Sequence, residues 1–296
     1  MGVIPWHYLI LTASHQRQAE AYERQLEIRR TLGLLEGVEQ AIVVADPGGR
    51  RVGSGGSTIC CLLEVLRRET AGTPQAARPD AWREILCGLR VLIIHAGGDS
   101  RRLPAYGPCG KVFVPMPGDS YSALGTTLFD RQLPNYLALP PTPQGSGQVV
   151  LTSGDVLLNF DSGEVDFSSG GVTGLGCYAT PEQASRHGVY CLRNGGQVWR
   201  FLQKPSPAVQ AREGAVSAYG QTVLDIGVFS FDAATAVSLL ELCGAHAGNG
   251  EDFPQRVEGG KQEGEGQWRE TDGQGAVAWS GPVAAAIESL GMDFYR

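Results

Sequence analysis

Arg90-Val-Leu-Ile-Ile-His95 is an apolar, β-branched run that ends directly on Ala96-Gly97-Gly98, and no other stretch constrains the fold as tightly. A strand of this kind is apolar on both faces, which suits the middle of a parallel sheet covered on each side. Parallel neighbours need long crossover connections, so helices must alternate with the strands. The first half of the chain supplies that alternation. Strands are predicted over Tyr8–Thr12, Ala41–Ala45 and Gln148–Thr152, and helical patterns over Gln16–Leu32, Thr58–Glu69 and, despite Pro134, the centre of Gly125–Leu139. The order implies an α/β fold with a doubly wound, mostly parallel sheet.

From Gly174 the pattern changes to shorter strands separated by turns: Gly176–Ala179, Gly188–Leu192, Val198–Leu202 and Val223–Phe231. These predict a smaller antiparallel part. Residues 259–275 are rich in Gly, Glu and Gln and are expected to form an exposed loop or a poorly ordered segment, followed by an apolar helix near the end of the chain.

Ligands in open α/β sheets gather beyond the carboxyl ends of the strands, and three polar turns follow predicted strands there. At the first, Gly97-Gly98 permits a tight turn and close backbone approach, and Arg101, Arg102 and Lys111 follow within a few residues. Amides freed at such a turn make an anion-binding concavity, while guanidinium forks and an ammonium match phosphate oxygens. The combination describes a triphosphate cradle. A P-loop would need Gly-Lys-Ser/Thr after a four-residue spacer, and a dinucleotide fingerprint would need a third glycine where Arg102 stands. The second turn, Gly53-Ser54-Gly55-Gly56-Ser57-Thr58, opens a helix whose N-terminal amides can face a ligand, or is a simple helix entry. At the third, Asp155 follows the Val149-Val-Leu-Thr152 run and reads either as a ligand carboxylate or as a turn cap.

Composition narrows the partners. The 296 residues suffice for a sizeable core, and 42% hydrophobic with 19% charged content is ordinary for a folded protein. A net charge of -7 argues against broad affinity for nucleic acid or anionic membranes. No apolar run is long enough to cross a bilayer and the start lacks a charged leader, so a soluble cytoplasmic protein is expected. Seven cysteines without CxxC pairs read as structural thiols, with Cys60, Cys61, Cys177 and Cys191 in apolar surroundings; Cys109 differs by lying in the Arg/Lys loop.

Gly97-Gly-Asp-Ser-Arg-Arg-Leu103 resembles the Gly-Gly-x-Gly-Thr-Arg-Leu signature of sugar-1-phosphate nucleotidylyltransferases, whose loop ends in a Pro-Lys that Gly110-Lys111 imitates. Ser100 and Gly110 depart from the pattern. Taken with Tyr8-Leu-Ile-Leu-Thr-Ala-Ser14 and Asp46-Pro-Gly-Gly-Arg-Arg-Val-Gly-Ser-Gly-Gly-Ser-Thr58, the loop is similar to the guanylyltransferase part of L-fucokinase/GDP-fucose pyrophosphorylase proteins. The resemblance is specific in those blocks and loose after about Phe231. It implies a Rossmann-like nucleotidyltransferase fold over 1–296, with 1–160 mainly for the nucleotide and 161–296 mainly for the sugar. In that family a β-helical region and sometimes a sugar kinase follow, so a truncated or short member is expected.

The resemblance also implies roles. GTP, or another triphosphate, and a sugar 1-phosphate, most directly L-fucose 1-phosphate, are the implied substrates, with magnesium as cofactor. Arg102, Lys111 and Lys204 are the implied catalytic cations. Nucleotide binding falls to Gly53, Ser54, Gly55, Gly56, Ser57 and Thr58 and to Ala96, Gly97, Gly98, Asp99, Ser100 and Arg101. Asp155 is the implied metal carboxylate, with Asp293 a second ligand or a surface carboxylate. Phe201-Leu-Gln-Lys204-Pro205 resembles the family's Glu-Lys-Pro, with Gln203 in place of the Glu, and sets Lys204 against the sugar phosphate. His187, Gly188, Asp225 and Gly227 fall in segments that resemble the sugar pocket, although His187 also reads as a structural residue and Gly227 as a bulge. Two other classes compete: a nucleotide-sugar-binding domain without catalysis, consistent with Ser100, Gly110 and Gln203, and a nicotinamide oxidoreductase, disfavoured by the arginine pair.

Overall fold

The computed structural model describes residues 4–71, 81–98, 110–118, 122, 124–193 and 196–245, and the backbone of 255–256 and 277–278. Strands β1 (Trp6–Ala13), β2 (Val38–Ala45), β3 (Arg90–His95) and β4 (Gln148–Ser153) form the parallel half of one eight-stranded sheet in the order β2-β1-β3-β4. Helices α1 (Gln16–Thr31), α2 (Gly53–Thr70), α3 (Ala81–Cys87) and α4 (Leu128–Leu137) occur between them.

Alternation along each strand divides the core between two faces. Tyr8, Ile10, Val91, Ile93, Val149 and Leu151 pack with α2 and α3 on one face, while Leu9, Leu11, Leu92, Ile94 and Val150 pack with α1 and α4 on the other. Both faces of the central strands are therefore dry, which is the burial their continuous apolar runs require. Pro134 does not break α4. The Thr127/Asp130 capping box fixes its start, and the helix continues to Leu137.

The antiparallel strands extend the same sheet. β8 (Thr222–Phe231) lies antiparallel to β4 through Thr152↔Val228 and Val149↔Phe231, and is paired along its length by β5 (Val172–Ala179). Beyond the end of β4 its other side pairs with β6 (Gly188–Leu192), which in turn pairs with β7 (Val198–Gln203). Helices α5 (Pro181–Ala184), α6 (Pro207–Arg212) and α7 (Ala233–Leu242) complete this half, and α7 packs on the α2–α3 face. Residues 255–256 and 277–278 form a short antiparallel ladder, β9 with β10. The expected loop over 259–275 and the expected C-terminal helix lie outside the described residues, as does Cys109.

Two expectations need correction. Cys177 is exposed, not apolar-packed, because among the described residues β5 pairs only with β8 and is an edge strand. The second helix begins at Gly53 instead of Thr58, so the glycine-rich segment is the helix's first turns and not a loop before it. No helix among the described residues is long and apolar enough to cross a membrane.

Candidate active site

Parallel pairing brings the carboxyl ends of β2, β1, β3 and β4 level with one another: Ala13 is paired with Ala45, and His95 with Ser153. An open cleft of about 410 Å³ lies along this edge. Its walls include Thr12 and Ser14 after β1, Asp46 and Arg51 after β2, the start of α2, His95 to Gly98 after β3, Lys111, and Ser153 to Asp155 after β4.

Lys111 Nζ lies 3.0 Å from Asp155 Oδ2, and Ser153 Oγ donates to Asp155 Oδ1 at 2.8 Å. Burial works to raise the Asp155 pKa, but the lysine and the serine outweigh it and hold the carboxyl below its ordinary value. The carboxylate is thus kept ionised at the cleft wall. Gly154 places it: a methyl there would stand 2.9 Å from the His95 carbonyl oxygen, so β4 can pass this close to β3 only with glycine.

The lysine is held by packing behind it. Gly110 has φ +68°, outside what a proline ring allows, and a side chain there would collide with the Tyr22 ring. This accounts for glycine where the resembling signature has proline. Tyr22 donates to the Ala96 carbonyl at 2.9 Å, so α1 ties the glycine turn to the lysine turn. Phe113, two residues after Lys111, packs edge-on to Tyr22 and lies beneath the Arg29 guanidinium at 4.8 Å. Arg29 is 1% exposed and makes a two-pronged contact with Asp130 at 2.7 and 2.9 Å.

The glycine turn differs from expectation in one respect. The amides of Ala96, Gly97 and Gly98 already donate to hydroxyls of β1's end, Ala96 and Gly97 to Thr12 Oγ1 at 3.1 and 3.4 Å and Gly98 to Ser14 Oγ at 2.5 Å. They do not form an open amide nest. A hydroxyl that accepts keeps a proton to donate, so Thr12 and Ser14 present donors at the cleft in their place.

Of the Gly53–Thr58 segment, Gly53, Ser54 and Ser57 border the cleft. Gly55, Gly56 and Thr58 are buried in the helix packing and do not line it. Thr58 Oγ1 instead donates to the Ser54 carbonyl and contacts His95 Nε2 at 3.1 Å, fastening α2 to the end of β3. The N-terminus of α2 has no side-chain cap and opens on the cleft, where its dipole favours an anion.

The residues expected on the sugar side gather at the junction between the two halves of the sheet. The Thr152↔Val228 register carries residues 222–227 of β8 past the end of β4. Gly227, with φ +76°, is the bend between the part of β8 paired to β4 and the part paired to β6. Asp225 is nearly buried; its Oδ1 accepts from Tyr190 Oη at 3.0 Å and from the Gly227 amide at 2.8 Å. Burial raises its pKa, opposed by those two donors and by His187. Gly188 stands across from Asp225, and a methyl there would strike Phe201. Lys204 is exposed, has φ +48°, and its amide donates to the His187 carbonyl at 3.0 Å. A non-glycine residue in that region is strained, a feature that clusters at functional sites. None of these residues lines the 410 Å³ cleft. Asp99, Ser100, Arg101, Arg102 and Asp293 lie outside the described residues.

Thr12, Ser14, Asp46, Arg51, His95 and Ser153 line the cleft without having been assigned roles from the sequence. Their common signal is position, since all but Arg51 lie at or just past the carboxyl end of a parallel strand and Arg51 lies in the connection from β2 to α2.

A family model described as the fucose pyrophosphorylase domain matches residues 83–256, more than half of the chain and all of the segment from β3 to β8. The bifunctional fucokinase/GDP-fucose pyrophosphorylase of Arabidopsis thaliana is 29% identical over 244 residues, covering 76% of this chain and 23% of that protein. The L-fucokinase/L-fucose-1-P guanylyltransferase of Bacteroides fragilis is 31% identical over 169 residues, 55% of this chain and 17% of its own. The fucose-1-phosphate guanylyltransferase of Mus musculus is 30% identical over 240 residues, 75% of this chain and 37% of its own. The chain therefore spans well under half the length of these relatives. With the match running through the segments that carry Lys111, Asp155 and Asp225, this chain belongs to the fucose pyrophosphorylase domain family.

Proposed function

We propose that the cleft carries nucleotidyl transfer from GTP to a sugar 1-phosphate, most directly L-fucose 1-phosphate, with release of pyrophosphate. The single observation behind this reading is the Lys111–Asp155 pair bordering the cleft that also takes the N-terminus of α2. The pair and the helix end together offer positive charge to phosphates and, beside it, a carboxylate. The names of the relatives supply the guanylyl group and the sugar.

In the reaction a sugar-phosphate oxygen attacks the α-phosphorus while pyrophosphate departs. Both reactants are anions, so the protein's task is to neutralise charge, align the two groups and exclude water. Lys111 and, outside the described residues, Arg102 are proposed to hold the triphosphate, with the hydroxyls of Thr12 and Ser14 donating to it. Lys204 and the Asp225 cluster are proposed to hold the sugar phosphate and the sugar.

Magnesium is the proposed cofactor. Among the described residues no three His, Cys, Asp or Glu converge, but magnesium is commonly bound by one or two carboxylates plus waters and substrate phosphates. An ionised Asp155 on the cleft wall fits that donor set, and Asp293 is the proposed second ligand. Bound there, the ion would neutralise charge at the α-phosphate. The sheet order supports a Rossmann-like nucleotidyltransferase fold; that it works as one unit, with its nucleotide part over 1–160 and its sugar part over 161–296, and in a cytoplasmic setting, belongs to the same proposal.

The test is pyrophosphate release by the purified chain over a panel of triphosphates and sugar 1-phosphates with magnesium. Release is expected with GTP and L-fucose 1-phosphate together and with neither alone. Nucleotide binding without release for any pair would instead favour a binding domain lacking catalysis.

A further inference from the structure

Asp46 is a second carboxylate on the cleft wall, and the transfer chemistry above leaves it without a task. It follows the last residue of β2, and its amide donates to the Ala13 carbonyl at 2.7 Å, which fixes it level with the strand ends. Ser57 Oγ donates to its Oδ1 at 2.6 Å. The Val52 amide is a second donor to the carboxylate, and Arg51 is the nearby cation. A carboxylate accepts about four hydrogen bonds, so two acceptor positions remain for a ligand in the cleft that Asp46 borders.

Position excludes a shared metal. Asp46 and Asp155 terminate strands three places apart in the order β2-β1-β3-β4, a separation of roughly 14 Å at the usual strand spacing. Two carboxylates on one magnesium must bring their oxygens within about 4 Å of each other. Asp46 therefore stands at the opposite end of the cleft from the carboxylate beside the reacting phosphate. A nucleotide spanning the cleft with its phosphates near Lys111 and Asp155 carries its base toward Asp46 and the start of α2.

We propose that Asp46 is the residue that reads the base, accepting the paired N1–H and 2-amino donors of guanine. This rests on the nucleotidyltransfer reading and deepens it by naming a specificity-determining residue. The chemistry is selective. Guanine offers a carboxylate two adjacent donors; hypoxanthine lacks the amino group, and xanthine carries an oxygen in its place. Adenine, cytosine and uracil each offer only one donor group along that edge. The Ser57 hydroxyl holds the carboxylate's rotation, and its place on the first turns of α2 ties the base reader to the start of that helix.

The experiment measures binding of GTP, ITP and XTP by calorimetry to the unaltered chain and to Asp46→Asn, with pyrophosphate release followed in parallel. The unaltered chain is expected to prefer GTP over ITP by about 10- to 100-fold, the range for a hydrogen bond to a charged partner. Asp46→Asn, whose amide can donate to the xanthine oxygen, is expected to bring GTP and ITP within about 3-fold and to gain XTP binding, an outcome that loss of a purely structural contact cannot produce. Equal binding of GTP and ITP by the unaltered chain overturns the proposal without any variant. So does an Asp46→Asn protein that weakens both equally and gains nothing for XTP. Altered base selectivity with no pyrophosphate release would contradict the transfer reading while leaving the base assignment standing; release with unaltered selectivity would do the reverse.

Discussion

Lys111 and Asp155 are each partly open to solvent, with side-chain exposures of 38% and 49%. Ion pairs so exposed contribute about 0–1 kcal/mol to a fold, so this one is expected to matter for chemistry and not for stability. Lys111→Ala should leave the thermal midpoint almost unaltered while kcat/KM falls about 100-fold or more, roughly 3 kcal/mol of transition-state stabilisation. Arg102→Ala is expected to act alike; calorimetric melts beside steady-state pyrophosphate release check both. For Asp46, burial pushes the carboxyl up to about 6, against Ser57, the Val52 amide and Arg51. The folded protein thus holds this proton more tightly than the unfolded chain. Its contribution makes stability fall as pH rises from about 4 to 6, by up to roughly 3 kcal/mol, and stay level above that. Denaturant midpoints of the unaltered chain minus those of Asp46→Asn across this window should show that slope. The sequence made the lysine and Asp155 legible because each stands next to a motif. Asp46 opens one of the blocks that carry the resemblance, yet it was not legible as a site residue, since nothing in Ala45-Asp46-Pro47 announces burial or the Ser57 contact that the fold creates.

Lys111 lies on a short 3-10 turn, Lys111–Phe113, positioned by Gly110 before it and Phe113 within it. Gly110→Ala must adopt a positive-φ, extended-ψ backbone that is essentially reserved to glycine, at about 1–3 kcal/mol, and displace the Tyr22 ring. The expectation is a lowered midpoint together with lost activity, unlike Lys111→Ala. Asp130→Ala goes further, because it strands the buried Arg29 guanidinium. Removing one partner of a buried pair costs about 3–5 kcal/mol, measurable by urea unfolding. Strand and helix positions were readable from periodicity, and every predicted strand among the described residues is present. Helix starts were less so. Gly53, with φ +74°, begins α2 without a polar cap, so the usual N-terminal signature is missing and the glycines look like a loop. The amide nest expected at Gly97-Gly98 failed for a tertiary reason: β1 brings two hydroxyls alongside, which no local pattern in the glycine turn encodes.

Across the whole molecule, the parallel half of the sheet positions the cleft and β8 joins it to the antiparallel half. Alternating helices and apolar runs were enough to foresee the first half. The junction at Gly227, and the continuity of the sheet through it, depend on long-range pairing of β8 with β4, β5 and β6 that strand patterns alone do not specify. Lys204, proposed to hold the sugar phosphate, has its left-handed backbone where β7 ends beside His187. Lys204→Gly relieves that strain and removes the amine, so it is expected to retain or slightly raise thermal stability while weakening sugar-phosphate binding at least 10-fold, read as a rise in KM for the sugar 1-phosphate with KM for GTP unaltered. The central claim is that one cleft moves the nucleotidyl group, through its α-phosphorus, onto a sugar phosphate. Its most direct test supplies GTP labelled at the α-phosphorus, L-fucose 1-phosphate and magnesium to the purified chain and follows the label. The account predicts that label appears in a nucleotide sugar, that the pyrophosphate is unlabelled, and that Lys111→Ala suppresses both products. Label that stays in GTP, or leaves as free GDP or GMP, would contradict it.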